Sequence, residues 1–388
     1  MGSVSIIGLD LAKGIFQAHG NDERGAKQFS KKLRRGELLA FFAKQSPTVV
    51  AMEACSSSHY WGREIAALGH EVKLIPAQHV KPFVKRAKND AADAEAICEA
   101  AVRPNMRFVA VKSGQQHSQA MVFRTRDLLV RQRTQWINAV RGHCAEFGII
   151  APVGNAGYET LKASIIADTP ETTQATKATG LRKADLGQAD LGQADLGQAG
   201  LGILAEARDP MAALEQLARD MLVKMVEAVT FLDEHVATLD KVIAALAKKD
   251  KGIGALRTIP GVGPITALAI KALGPDPKLF ASGRDYAAWM GLVPSQHSSG
   301  GKERLGKITK KGNRTLRRLL VICAGAQITS IMRSRSEPDP WLKGMLARHP
   351  RMKVITALAN KLARIIWAIQ VRGGVYQVPT PNEPSVSA

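Results

Sequence analysis

The spacing of apolar positions changes character three times along the chain. In the N-terminal part the apolar runs are short and rich in β-branched side chains. Val4–Leu11, Thr48–Met52 and Glu71–Ile75 each read as one strand. Ile15–His19 follows a tight turn at Lys13-Gly14, and Gln28–Leu33 can pair back on it as a hairpin. Helical spacing appears between these runs, at Glu37–Lys44 and Tyr60–Leu68. Hairpin strands followed by strand–helix units predict an α/β domain with a mixed sheet.

The period then becomes helical and stays so. Gln115–Phe147 reads as one long helix with Arg124, Arg126, Arg131, Arg133 and Arg141 on its polar faces. A second runs from about Pro210 to Lys248, where Leu232, Val236, Leu239, Ile243 and Leu246 form a heptad seam. Leu214, Leu217, Met221, Met225 and Val229 continue it upstream with a stutter. Two arrangements satisfy such a seam: a coiled-coil arm pairing protomers, or a hairpin against the first long helix. Between the helices, Lys183–Gly202 repeats A-D-L-G-Q three times, too few copies for a solenoid, and reads as a low-complexity insertion at the hairpin tip.

Charge divides the chain of 388 residues into three. Residues 1–112 carry 17 Lys/Arg against 11 Asp/Glu, residues 113–250 carry 15 against 17, and residues 251–388 carry 22 against 6. These segments are the expected domains. A net +16 in the last segment points to a nucleic-acid partner. Aromatic residues are only 5%, which argues against base stacking as the main binding mode. Four scattered cysteines without a C-x-x-C pair fit reduced thiols in the cytoplasm rather than a disulfide scaffold or a structural zinc. No run of eighteen apolar residues occurs, and Asp10 comes too early for a signal peptide, so no membrane partner is expected.

Four carboxylates stand out. Asp10 closes the first apolar run in G-L-D-L-A, and Glu53 follows the strand Thr48–Met52. Asp90 and Asp93 open the helical run A-A-D-A-E-A-I-C-E-A-A and share a face at i, i+3. Two strand carboxylates and a helical D-x-x-D pair suit two hard divalent cations, which can clamp a phosphodiester during in-line attack. Each residue also has a plainer reading. Asp90 can be an N-cap, Asp93 and Glu95 can be solvated first-turn acids, and Glu53 can cap the next helix. The combination points to an RNase-H-like nuclease fold.

The basic third adds two motifs. I-P-G-V-G-P-I-T-A places Gly261 and Gly263 either in the turn of a helix-hairpin-helix, whose amides can hold a phosphate without reading sequence, or in a plain tight turn between packed helices. Lys302, Arg304, Lys307, Lys310, Lys311, Arg314, Arg317 and Arg318 follow, against the single acid Glu303. Before them, His297-Ser298-Ser299-Gly300-Gly301 is either a flexible turn or a serine nucleophile flanked by cations.

These residues resemble a family: insertion-sequence transposases with an N-terminal RuvC-like DEDD domain and a C-terminal serine domain, related to Piv-type invertases and to bridge-RNA (seekRNA) guided recombinases. The motifs that carry it are G-L-D-L-A-K, M-E-A-C, K-N-D-A-A-D-A-E-A-I, I-P-G-V-G-P and G-L-V-P-S-Q-H-S-S-G-G-K-E-R-L-G-K-I, which together span nearly the whole chain. The repeat at 183–202 lies outside the family pattern. The resemblance implies magnesium, two ions per site, at Asp10, Glu53, Asp90 and Asp93. It implies a phosphoserine intermediate on the serine before Gly300, Ser299, and a structured guide RNA pairing with donor and target DNA. It also implies a composite site in a dimer that assembles to a tetramer, at the bacterial nucleoid. The expected activity is strand cleavage and exchange. The rivals are a hydrolytic RuvC-like junction nuclease, a Piv-like invertase and a non-enzymatic nucleic-acid binder.

Overall fold

The computed structural model describes residues 4–84, 89–167, 214–334 and 338–377; the repeat at 183–202 lies outside them. The chain forms two compact units, Met1–Met121 with Ala244–Ala388, and Val122–Ile243.

The first unit contains a five-stranded mixed sheet. Its strands are β1 (Ile6–Asp10), β2 (Ile15–Asn21), β3 (Lys27–Arg34), β4 (Val49–Glu53) and β5 (Glu71–Ile75), in the order β3-β2-β1-β4-β5. The pairs β1–β2 and β2–β3 are antiparallel, whereas β1–β4 and β4–β5 are parallel. Alternation of side chains sends Ile7, Leu9, Phe16, Val50, Met52 and Leu74 to one face. There they pack with Leu38 and Phe42 of α1 (Leu38–Phe42) and with Trp61 and Ile65 of α2 (Ser58–Ala67). The expected helix Glu37–Lys44 is shorter than its pattern, a 3-10 turn at Arg35–Glu37 running into α1. After a short α3 (Ala77–Val80), α4 (Asp90–Ala101) covers the opposite face, packing Ala96, Ile97 and Cys98 on Ile6, Ala51 and Ile75.

The second unit is built on α5 (Gly114–Glu146), α6 (Asn155–Ala167) and α7 (Gln216–Lys249). Val140 and Cys144 pack with Tyr158, Leu161 and Ile165 and with Leu222, Val226 and Val229. Arg126 grips Asp240 with two nitrogens, and Arg133 Nη1 lies 2.7 Å from Asp233 Oδ1. Of the two arrangements open to the seam, the intramolecular one is therefore present. The buried stripe runs through Leu222, Val226 and Val229, while Leu217 and Met221, expected on the seam, are exposed. Arginines read as polar-face residues hold the fold: Arg141 donates to the carbonyls of Pro152 and Gly154.

The remainder of the first unit is helical with one small hairpin. Its elements are α8 (Lys251–Leu256), α9 (Pro264–Leu273), α10 (Gly283–Trp289), strands β6 (Pro294–Gln296) and β7 (Leu305–Ile308), α11 (Arg314–Ser334), α12 (Pro340–Arg348) and α13 (Arg351–Arg372). By length and composition alone, α11 and α13 are long and apolar enough to cross a membrane, although neither holds an unbroken apolar run of eighteen residues. They behave as core helices, burying Leu316, Leu320 and Ile328 on α11 and Val354, Leu358 and Ile366 on α13.

Candidate active site: a carboxylate row and a serine hairpin

The four carboxylates meet because of sheet register. Asp10 is the last residue of β1. One position beyond the Leu9–Met52 pair, Asp10 and Glu53 end neighbouring parallel strands on the same face. Helix α4 supplies the other two across that face. It approaches β1 closely because residue 8 is glycine: a Cβ there would lie 2.3 Å from the Ala94 carbonyl oxygen and 2.8 Å from Cys98 Sγ. Cys98 Sγ donates to the His19 carbonyl at 3.1 Å, tying α4 to β2 as well. Burial of the thiol pushes it up to about 12, so it stays protonated and able to donate.

Two of the plainer readings of these acids fail, while Asp90 and Asp93 do stand in the first turn of α4. The N-cap of α4 is Asn89, whose Oδ1 accepts from Ala92 N–H at 2.8 Å, so Asp90 is not the cap. Ser57, not Glu53, holds the N-cap position of α2. Burial, and then the charges of Asp93, Asp90 and Glu53, push the Asp10 carboxyl up to about 6. Among the described residues no three His, Cys, Asp or Glu side chains close on a single point as a ligand cage would. The carboxylates lie within reach of one another's charge rather than in contact. Their donor set is all oxygen, which suits a hard divalent cation such as magnesium, and a cation among them would relieve the repulsion acting on Asp10. On that chemistry, the residues present fit the metal.

One neighbour was missed from sequence. On β2 the residue directly opposite Asp10 is Gln17, which is 4% exposed, and opposite Gln17 on β3 is Lys32. The row across the sheet thus reads Lys32, Gln17, Asp10, Glu53. Counting back from the Lys13-Gly14 turn would have found it.

The serine lies in a different setting. Ser299 and Lys302 bridge each other at the tip of the β6–β7 hairpin, and Lys302 N–H donates to the Ser299 carbonyl at 3.2 Å. The two residues between them, Gly300 and Gly301, have φ of 57° and 76°, the mirror-image turn that suits hairpins and that glycine adopts without strain. Ser298 Oγ accepts from Arg304 N–H at 3.1 Å and is part of the hairpin's own bonding. No hydrogen bond of the Ser299 side chain occurs among the described residues, and the whole tip is exposed. Nor does any hydrogen bond or ion pair among them link this hairpin to the four carboxylates.

The cations divide by use. Lys302, Arg304 and Lys307 are exposed on the hairpin, Lys310 has φ of 55°, and Lys310, Lys311, Arg314 and Arg318 are exposed beyond it. Arg317 is committed to the fold, donating from Nη1 to the Met290 and Lys311 carbonyls at 2.9 and 2.7 Å. Gly261 (φ 81°) and Gly263 do lie in a tight turn between α8 and α9. That turn packs on α11: a Cβ at Gly261 would lie 2.7 Å from the Cys323 carbonyl. Burial pushes the Cys323 thiol up, and a hydrogen bond shared with the Thr266 hydroxyl at 3.3 Å acts against it. A cleft of about 1670 Å³ lies elsewhere in the same unit, lined by Arg107, Lys112, Lys251, Lys278 and Lys311 among others. It exceeds the ~300–1,000 Å³ of small-molecule sites, but neither the carboxylates nor Ser299 line it.

Comparison with known proteins gives this geometry a setting. Residues 7–148 match the DEDD transposase domain of IS110-type elements, and residues 254–337 match the transposase IS116/IS110/IS902 family. A Pseudomonas aeruginosa protein described as a probable family 20 transposase is 41% identical over 97% of this chain and 99% of its own length. The transposase for insertion sequence element IS1328 of Yersinia enterocolitica is 36% identical over 97% of this chain and 99% of its own. That for IS1111A of Coxiella burnetii is 33% identical over 97% of this chain and 92% of its own.

Proposed function

This chain belongs to the transposase IS116/IS110/IS902 family, enzymes that cleave and rejoin DNA, and on that premise we propose that it uses both motifs in one reaction. The carboxylate row would hold magnesium at the scissile region, and Ser299 is the nucleophile. The observation that carries the reading is the convergence on Asp10 of three other carboxylates from β4 and α4.

In this reading Asp10, Glu53, Asp90 and Asp93 hold the metal. When bound, magnesium neutralises charge that builds on the phosphate oxygens. Ser299 Oγ attacks phosphorus: an Oγ–P bond forms, a P–O bond to the DNA strand breaks, and the departing oxygen takes the proton. Attack by the hydroxyl of the new strand reverses these steps and frees the serine. Lys302 and Arg304, next to the turn, neutralise the phosphorane. Gly300 and Gly301 leave the backbone beside Ser299 open, with nothing within 4 Å of where their Cβ atoms would be. Ser298 is already engaged across the hairpin, which favours Ser299 as the reactive residue.

Two parts of the reading concern partners. The exposed cations from Lys302 to Arg318, the Gly261–Gly263 turn and the cationic cleft supply charge for donor and target DNA and for a structured guide RNA. The distance in bonding between the hairpin and the carboxylates is met if the two come from different protomers of a dimer or tetramer, with the exposed positions of α7 available for pairing.

Trapping a nicked substrate and mapping the adducted peptide by mass spectrometry tests the nucleophile. A phosphopeptide at Ser299 is expected; an adduct at Ser298, or none in an active enzyme, overturns it. Sequencing RNA that copurifies tests the guide: a single RNA encoded beside the gene is expected, and RNA-free protein that still recombines overturns it.

A further inference from the structure

Among the described residues, Gln17 is the buried polar side chain that stands directly opposite Asp10. It is the register partner of Asp10 on β2, and opposed residues of an antiparallel pair project to the same face with Cβ atoms ~4.5–5.5 Å apart. Its Nε2 donates to Ser30 Oγ on β3 at 2.9 Å, which fixes the amide plane. Its Oε1 is buried and has no hydrogen-bond partner. Leaving a buried carbonyl oxygen without a donor is costly, so a frame that keeps one points to a compensating partner in the working state.

The chemistry of the neighbours says what that partner is. Oε1 is an acceptor, and an ionised Asp10 is acceptor-only, so the two cannot satisfy each other. A group that donates hydrogen bonds can serve both at once. Water on a divalent cation does so, because magnesium keeps several of its waters when carboxylates bind it. We infer that Gln17, tethered by Ser30, is a positioning residue of the metal site that accepts a hydrogen bond from cation-bound water beside Asp10. The inference rests on the carboxylate reading above and extends the site along the sheet to β2 and β3, where no carboxylate lies. Groups that orient a bound metal in this way are typically worth about 10–100-fold in affinity.

The test is a manganese titration of the full-length protein, with free Mn²⁺ read by electron paramagnetic resonance and no DNA present. Wild type should bind and Asp10→Asn should not. Gln17→Leu, which keeps the volume and removes the acceptor, should weaken binding about tenfold or more. Ser30→Ala, a milder change should Gln17→Leu fail to fold, should weaken it less. Gln17→Glu, which restores an acceptor, should recover binding; a merely packing role would make that buried charge the worst of the three. If Asp10→Asn loses Mn²⁺ while Gln17→Leu and Ser30→Ala bind as wild type does, this inference alone is wrong. If wild type and Asp10→Asn behave alike, the carboxylate reading falls and Gln17 with it.

Discussion

The carboxylate row and the serine hairpin hold reactive groups in opposite ways. The row is anchored by two strand ends, a helix and a glycine contact, and its acids are held near one another although they repel. The hairpin places Ser299 beside a two-residue turn of exposed backbone, fixed by its own ladder bonds near the tip and by Arg317 near its base. A site that gathers like charges needs a rigid frame to oppose them. A nucleophile that reaches into a bound duplex needs only a local turn and open space around it. The first is therefore sensitive to anything that moves the frame, the second to the chemistry of a few residues.

Removing one member of the row should have the largest effect. Asp10→Ala or Asp93→Ala should abolish strand cleavage, because charge stabilisation in the transition state is lost, while DNA and RNA retention persist on the cations of the basic segment. Nicking assays beside gel-shift binding decide it, and full activity in either variant would refute the row. Ser299→Ala should likewise lose strand exchange. Ser298→Ala gives up only the bond from Arg304 N–H, about 1 kcal/mol locally, and should remain active; equal loss in both variants would dissolve the distinction between them.

The two glycine sites sharpen the comparison at a lower level. Gly8→Ala puts a Cβ 2.3 Å from the Ala94 carbonyl, so α4 must retreat and carry Asp90 and Asp93 with it. Cleavage should fall on the order of 10²-fold through misplacement, with about 1–3 kcal/mol lost in thermal stability. Gly301→Ala meets no atom and pays only for its φ of 76°, roughly 1–2 kcal/mol confined to the turn. Its melting temperature should fall by a few degrees at most, less than that of Gly8→Ala, and its cleavage chemistry should survive. A larger melting shift for Gly301→Ala than for Gly8→Ala would reverse the proposed rigidity of the two sites.

The smallest effect concerns pH and the turn between α8 and α9. Asp250 caps α8 through Gly252 and Ile253 N–H and pairs with Lys271 of α9. Its burial would raise the acid, but the Lys271 hydrogen bond and those two amides outweigh burial and hold it below the ordinary carboxylate range. A lowered acid contributes stability above its unfolded value and loses it as pH falls through the folded one. Asp250→Asn keeps an N-cap but loses the charged partner of Lys271, and should melt slightly below wild type at pH 7, by about 1 kcal/mol or less. The gap should close from about pH 5 towards pH 3. A gap that is constant over that range would show that the charge plays no part.

Much of the N-terminal module was legible because its signals are local. Period-two apolar runs, a tight turn at Lys13-Gly14 and helical spacing before Leu68 predicted all five strands, and Glu71–Ile75 matched residue for residue. The turn chemistry of Ser299-Gly300-Gly301-Lys302 was equally local, but whether it was a loop or a hairpin tip depended on Pro294–Gln296 pairing with Leu305–Ile308. The seam on α7 was misjudged upstream, where Leu217 and Met221 proved exposed, because a stutter leaves several faces equally apolar and the partner helices choose among them.

By itself, then, the sequence determined which residues could do chemistry: four carboxylates in order, a serine before two glycines, a cationic last third and a mixed α/β module to begin with. Tertiary structure alone decided which of these meet. The sheet order brings Asp10 beside both Glu53 and Gln17, and Gly8 lets α4 lower Asp93 onto the row. The same folding turns Arg317 inward onto two carbonyls while its neighbours stay exposed. The reason is physical. Residue type and period are properties of neighbours in the chain, whereas proximity across strands is set by register and by how closely a helix can approach, and both depend on residues far apart in sequence.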